Sequence, residues 1–94
     1  MKQARAHVLI SGSVQGVFFR ANAQEMAEQY KLTGWVRNTS DGRVECLLEG
    51  DEEQVKNMLD WCSKGPAGSH VKSTEVEWGK PTGEFKAFYI KYSL

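Results

Sequence analysis

The stretch Gly12-Ser13-Val14-Gln15-Gly16-Val17-Phe18-Phe19-Arg20 sets two glycines, a short loop and an arginine directly ahead of a helical pattern. Such a stretch can hold a small anion. Glycine turns the backbone without a Cβ penalty, so the amides of Ser13, Val14, Gln15, Gly16, Val17, Phe18 and Phe19 can converge on one point, as in anion-binding nests and at helix N-termini. Arg20 adds a planar, always charged fork whose donors match a tetrahedral oxyanion bidentately. The spacing is neither G-x-x-x-x-G-K-[ST] nor a G-x-G-x-x-G that opens a dinucleotide-binding unit. Nucleoside triphosphates and nicotinamide cofactors are therefore disfavoured, and selection of the anion has to be local. A second polar candidate, Asn38, closes the run Gly34-Trp35-Val36-Arg37-Asn38 just before Thr39-Ser40-Asp41-Gly42.

The first stretch resembles the acylphosphatase signature G-x-V-Q-G-V-x-[FY]-R and matches it at every fixed position. The second run is similar to the other signature of that family, Gly-aromatic-apolar-polar-Asn, with Gly42 and Val44 at the expected offsets beyond Asn38. The resemblance extends from about His7 to Ile90. It implies a metal-free, cofactor-free hydrolysis of acyl phosphates to a carboxylate and inorganic phosphate, with Arg20 and Asn38 as the catalytic pair.

That chemistry suits the residues present. The leaving group of an acyl phosphate is a carboxylate with a pKa of about 4, so it departs without a general acid. The catalyst must hold the phosphoryl group, stabilise charge on its oxygens and place a water in line. Arg20 and the loop amides fit the first two tasks and the Asn38 amide fits the third. A non-catalytic module that binds phosphate or an acyl phosphate for regulation is the alternative expectation.

With 94 residues, 40% of them hydrophobic and 26% charged, the chain is expected to form a single domain over 1–94. Lysine plus arginine and aspartate plus glutamate balance at 12 each. No global field recruits nucleic acid or an anionic membrane. The residues Met1 to Arg5 carry no signal-peptide core, so a cytoplasmic location and a monomer are the default expectations. Cys46 and Cys62 do not have zinc-ligand or C-x-x-C spacing and are expected to be buried free thiols.

The elements that must position these residues follow from periodicity. Val8 and Ile10 alternate within a strand over His7 to Ser11 that ends at Gly12. Phe19, Ala23, Met26, Ala27 and Tyr30 recur at helical spacing from near Arg20. Trp35–Thr39 and Arg43–Glu49 flank an Asp41-Gly42 hairpin turn, with Val44, Cys46 and Leu48 on the face to be buried. Asp51 suggests an N-cap, and Val55, Met58, Leu59 and Cys62 give a second helical stripe stopped by Gly65-Pro66, with Trp61 off the stripe. Val71 is out of phase with Thr74, Val76 and Trp78, which predicts either a bulge in the next strand or a later start of that strand. A last strand is expected over Phe85 to Tyr92. The order is a ferredoxin-like α+β βαββαβ sandwich, two helices on one face of an antiparallel sheet with an added short C-terminal strand. RNA recognition motifs share that order but need aromatic residues on the open face of the third strand, and Arg43 to Glu49 has none. His7 and His70 lie outside both motifs and have no triad partner, and Ser11, Ser13 and Ser40 have no adjacent base.

Overall fold

The computed structural model describes residues 2–92. Strand β1 (Gln3–Ser13) points Ala4, Ala6, Val8 and Ile10 into the core. It is longer than the His7–Ser11 expected, because two alanines continue the buried face while adding little hydrophobic signal. Helix α1 (Phe19–Gln29) buries Phe19, Ala23 and Ala27, with Met26 and Tyr30 at its margin. The hairpin β2 (Thr33–Asn38) and β3 (Val44–Asp51) follows, and then α2 (Glu52–Lys64), which buries Val55, Met58 and Cys62. Asp51 occupies the N-cap position of α2 but its side chain makes no capping bond, so its role there is one of backbone geometry. Gly65 ends the helix with φ 72°, as the sequence predicts. Strands β4 (His70–Gly79) and β5 (Phe88–Lys91) complete the sheet.

Both helices lie on one face of a five-stranded sheet ordered β4-β1-β3-β2-β5. Phe19 of α1 and Trp61 of α2 meet with ring centroids 5.3 Å apart and planes tilted by 60°, an edge-type contact that locks the helices together. Cys46 and Cys62 are free thiols buried between β3 and α2. The Cys46 thiol donates a hydrogen bond to Cys62, and this bond together with burial pushes the Cys46 thiol up. The predicted irregularity in β4 is present: Ser11 pairs with Ser73 but Gly12 pairs with Val71, so Lys72 is the extra residue. Gly12 serves this bulge, since a Cβ there would lie 2.1 Å from the His70 carbonyl oxygen.

Two expectations need correction. The sheet is mixed and not wholly antiparallel, because β5 runs parallel to β2. The last strand is also shorter than Phe85–Tyr92, because residues 80–87 leave the sheet and cross its open face. Both differences have one cause. Glu49, on the open face of β3, is buried, and its carboxylate accepts hydrogen bonds from the amides of Thr82 at 2.9 Å and Gly83 at 3.0 Å. Arg5 pairs with the same carboxylate at 2.7 Å. This clasp carries the chain straight across the sheet from the end of β4. It never travels back along the sheet, so β5 starts at the end where β2 starts and runs alongside it. Leu47 is buried on the same open face, which the alternation pattern had left to solvent.

Burial pushes the Glu49 carboxyl up, but the Thr82 and Gly83 amides, Arg5 and the Thr82 hydroxyl outweigh it and hold the group below its ordinary range. A carboxyl depressed in the folded state contributes stability above its unfolded pKa of about 4.3 and loses it as pH falls through the folded value. Urea denaturation should therefore show stability falling on acidification below about pH 4.5, with a flatter profile in Glu49→Gln. At pH 7 that variant should lose about 1–3 kcal/mol, the cost of donors left without their charged acceptor.

Candidate active site

The ends of three strands meet at one edge of the sandwich. Strand β1 runs out at Ser13, β2 at Asn38 and β5 at Lys91, and the loop from Val14 to Phe18 returns across this edge into α1. Val14 is fully buried and anchors the loop base. Gly16 makes the turn at φ 76° with open space around its Cα. Gln15 braces the loop through its side chain: its amide nitrogen donates to the carbonyls of Thr39 at 2.9 Å and Arg43 at 2.8 Å. Those two carbonyls belong to the β2–β3 turn, so one side chain ties the loop of Arg20 to the hairpin of Asn38.

The turn itself is closed tightly. The Thr39 amide donates to the Arg43 carbonyl at 2.8 Å, and the Arg43 amide returns a bond to the Thr39 hydroxyl at 2.9 Å. Asp41 pairs with Arg43 at 2.8 Å. The Arg43 guanidinium, followed by the Thr39 hydroxyl, holds the Asp41 carboxyl at about 2. The Arg43 charge is thus committed at the turn tip.

At the start of α1, Phe18 occupies the N-cap position in the left-handed region, φ 59° and ψ 26°. Its carbonyl accepts both the Asn22 amide at 3.0 Å and the Asn22 side chain at 2.9 Å. The first amides of a helix have no partner within it. Phe18 offers no side-chain acceptor, and the first turn carries no acidic residue. The positive end of the helix therefore faces outward uncompensated, which favours an anion there.

A cavity of about 290 Å³ opens at this point, lined by Val14, Gly16, Phe18, Phe19, Arg20, Ala21, Asn38, Ile90 and Tyr92. Arg20 and Asn38 share this space although they come from different motifs. Of the other loop residues, Ser13 is the final residue of β1 and pairs with His70, and Ser13, Gln15 and Val17 do not line the cavity. Among the described residues Arg20 meets no carboxylate, and its guanidinium lies 5.0 Å from the centre of the Tyr92 ring, within cation–π range. Sequence reading missed Tyr92 and Ile90, since they reach the site only through the parallel pairing of β5 with β2. It also missed the Gln15 side chain, which the first motif names but whose bracing partners lie in the second. His7 pairs with Glu45 on the open face and His70 is exposed, so neither joins the site. No group of three His, Cys, Asp or Glu side chains among the described residues is placed to hold a metal ion.

The strand order and the placing of both helices on one face define a ferredoxin-like α+β protein. Comparison with known proteins narrows this further. A family model described as Acylphosphatase matches residues 6–90. An acylphosphatase of Roseiflexus sp. (strain RS-1) is 51% identical over 90 residues, covering 96% of this chain and 97% of its own length. One from Pelotomaculum thermopropionicum is 47% identical over 92 residues, covering 98% and 100%. The crystal structure of acylphosphatase from Bacillus subtilis superposes with a TM-score of 0.91 at 35% identity, over 95% of this chain and 99% of that one. The chain belongs to the acylphosphatase family. Its reaction is the hydrolysis of the carboxyl–phosphate bond of an acyl phosphate.

The brace is open to a direct test. Gln15→Ala should cost about 1–2 kcal/mol for two lost hydrogen bonds. It should also lower kcat/KM, because the loop and the Asn38 hairpin are no longer tied. Denaturant titration read alongside steady-state hydrolysis checks both, and unchanged catalysis in a destabilised variant would reduce Gln15 to a purely structural tie.

Proposed function

We propose that this acylphosphatase works by cradling the phosphoryl group on the amides at the start of α1 and the Arg20 guanidinium, while the Asn38 side chain orients the attacking water. The observation that carries the reading is the shared cavity: Arg20, the turn at Gly16 and the uncapped helix start open onto the same space as Asn38. Arg20 and the amides offset charge on the phosphoryl oxygens, which is most of what a loose transition state asks of a protein. The water oxygen bonds to phosphorus as the bond from phosphorus to the carboxylate oxygen breaks. The electron pair of that bond leaves on the carboxylate, a weak base needing no proton. Asn38 cannot act as a base near neutral pH, so the water proton passes late to a phosphoryl oxygen. The products are a carboxylate and inorganic phosphate.

In this reading the chain acts as a single domain and as a monomeric cytoplasmic enzyme on free small acyl phosphates, without metal or cofactor, and not on nucleic acid or at a membrane. Its balanced charge supports the reading that it acts neither on nucleic acid nor at an anionic membrane.

The test is phosphate release from benzoyl phosphate in the presence of a chelator. Arg20→Ala should lower kcat/KM by about a thousandfold and raise KM, since it removes a charged clamp felt in both ground and transition states. Asn38→Ala should lower kcat by about a hundredfold with KM little changed. Normal turnover by Asn38→Ala would remove its water-orienting role. An inactive wild type that binds phosphate through Arg20 would make the chain a regulatory binding module.

A further inference from the structure

Phe18 has features that packing does not explain. Its backbone adopts a left-handed conformation that bulky residues resist, and two bonds from Asn22 fix its carbonyl there. Its neighbour Phe19 turns into the core, yet the Phe18 ring is 81% exposed. The strain thus sets an aromatic ring in water at the mouth of the cavity that holds Arg20 and Asn38. The Tyr92 ring, 76% exposed, lines the same cavity, with Ile90 half-buried beside it and Ala21 adding neither bulk nor charge. The volume of about 290 Å³ approaches the roughly 300–1,000 Å³ of pockets that take whole small molecules. A phosphoryl group at the helix start leaves the apolar part of this space to the rest of the substrate.

We propose that Phe18 and Tyr92 form the subsite for the acyl end of the substrate and select aromatic acyl phosphates over small ones. The inference rests on the reading that Arg20 and the loop hold the phosphoryl end. Every acyl phosphate presents the same phosphoryl group, so discrimination has to arise where the acyl group lies. Among the described residues Arg20 is the only charged side chain lining the cavity, and it is engaged at the phosphoryl end. What remains around the acyl group is two ring faces and an isoleucine. These gain by covering an aryl group in offset or edge contact, and they gain little from a lone methyl.

The experiment compares kcat and KM for benzoyl phosphate and acetyl phosphate in the wild type, Phe18→Asn, Phe18→Tyr and Tyr92→Leu. Asparagine tolerates the left-handed conformation, so Phe18→Asn removes the ring while keeping the turn. The ratio of the two kcat/KM values cancels the folded fraction and the shared phosphoryl contacts. The ratio of benzoyl to acetyl phosphate should fall about fivefold to tenfold in Phe18→Asn, mainly through KM for benzoyl phosphate, and be kept in Phe18→Tyr. It should fall in Tyr92→Leu as well. A ratio in Phe18→Asn and Tyr92→Leu equal to that of the wild type would overturn the subsite while leaving the phosphoryl site intact. Hydrolysis of neither substrate by the wild type would instead overturn the proposed hydrolytic function, and the subsite's role in selecting substrates with it.

Discussion

The Glu49 carboxylate faces Arg5 at 2.7 Å and accepts the amides of Thr82 and Gly83, and this clasp decides where the chain goes after β4. A carboxylate on a sheet face is ordinarily left to water. Here it is buried because the crossing segment covers it, and the segment stays because the carboxylate supplies acceptors for backbone donors that would otherwise be lost to solvent. The crossing turns β5 parallel to β2, and the parallel sense delivers Ile90 and Tyr92 to the end of the sheet where Asn38 stands. An interaction on the open face thus determines the composition of a site at the edge of the sandwich.

At that edge the work is divided among elements of different stiffness. The sheet fixes Asn38 through pairing with Val44 on the neighbouring strand. The loop before α1 has no ladder to hold it and depends on the buried Val14 below and the Gln15 brace to the hairpin. Asn22 pins the strained Phe18 carbonyl from within the helix. The end of β2, the loop and the start of α1 are each held by hydrogen bonds to backbone groups, which suits the proposed mechanism, whose demand on the protein is positioning and charge compensation.

Much of this is legible in the sequence. The helical stripe from Phe19, the Asp41-Gly42 hairpin, the stop at Gly65 and the phase break at Val71 all carried local signals, and local signals survive in the fold. The two motifs name Arg20 and Asn38 as candidates, and both line the same cavity. What stayed hidden depended on contacts between distant segments. Glu49 looked like a solvent-facing strand residue, because nothing in its neighbours indicates that residues 80–87 will lie over it. The strand expected from Phe85 ran too far for the same reason. Tyr92 reads as an ordinary end-of-strand aromatic until the parallel pairing of β5 is known. Gly12 was credited to the anion loop, whereas its close approach to the His70 carbonyl assigns it to the bulge.

The dependence on β5 has a meaning for how the chain comes into being. Arg20 and Asn38 are made early, and a chain that has emerged only through β4 already carries both. It lacks the wall of Ile90 and Tyr92, and the Arg20 guanidinium has no ring to lie against. The cavity closes only once the crossing segment has been captured and the last strand has docked. Completion of the site then coincides with completion of the sheet, so that a molecule with its cavity formed has already passed a check on its own topology.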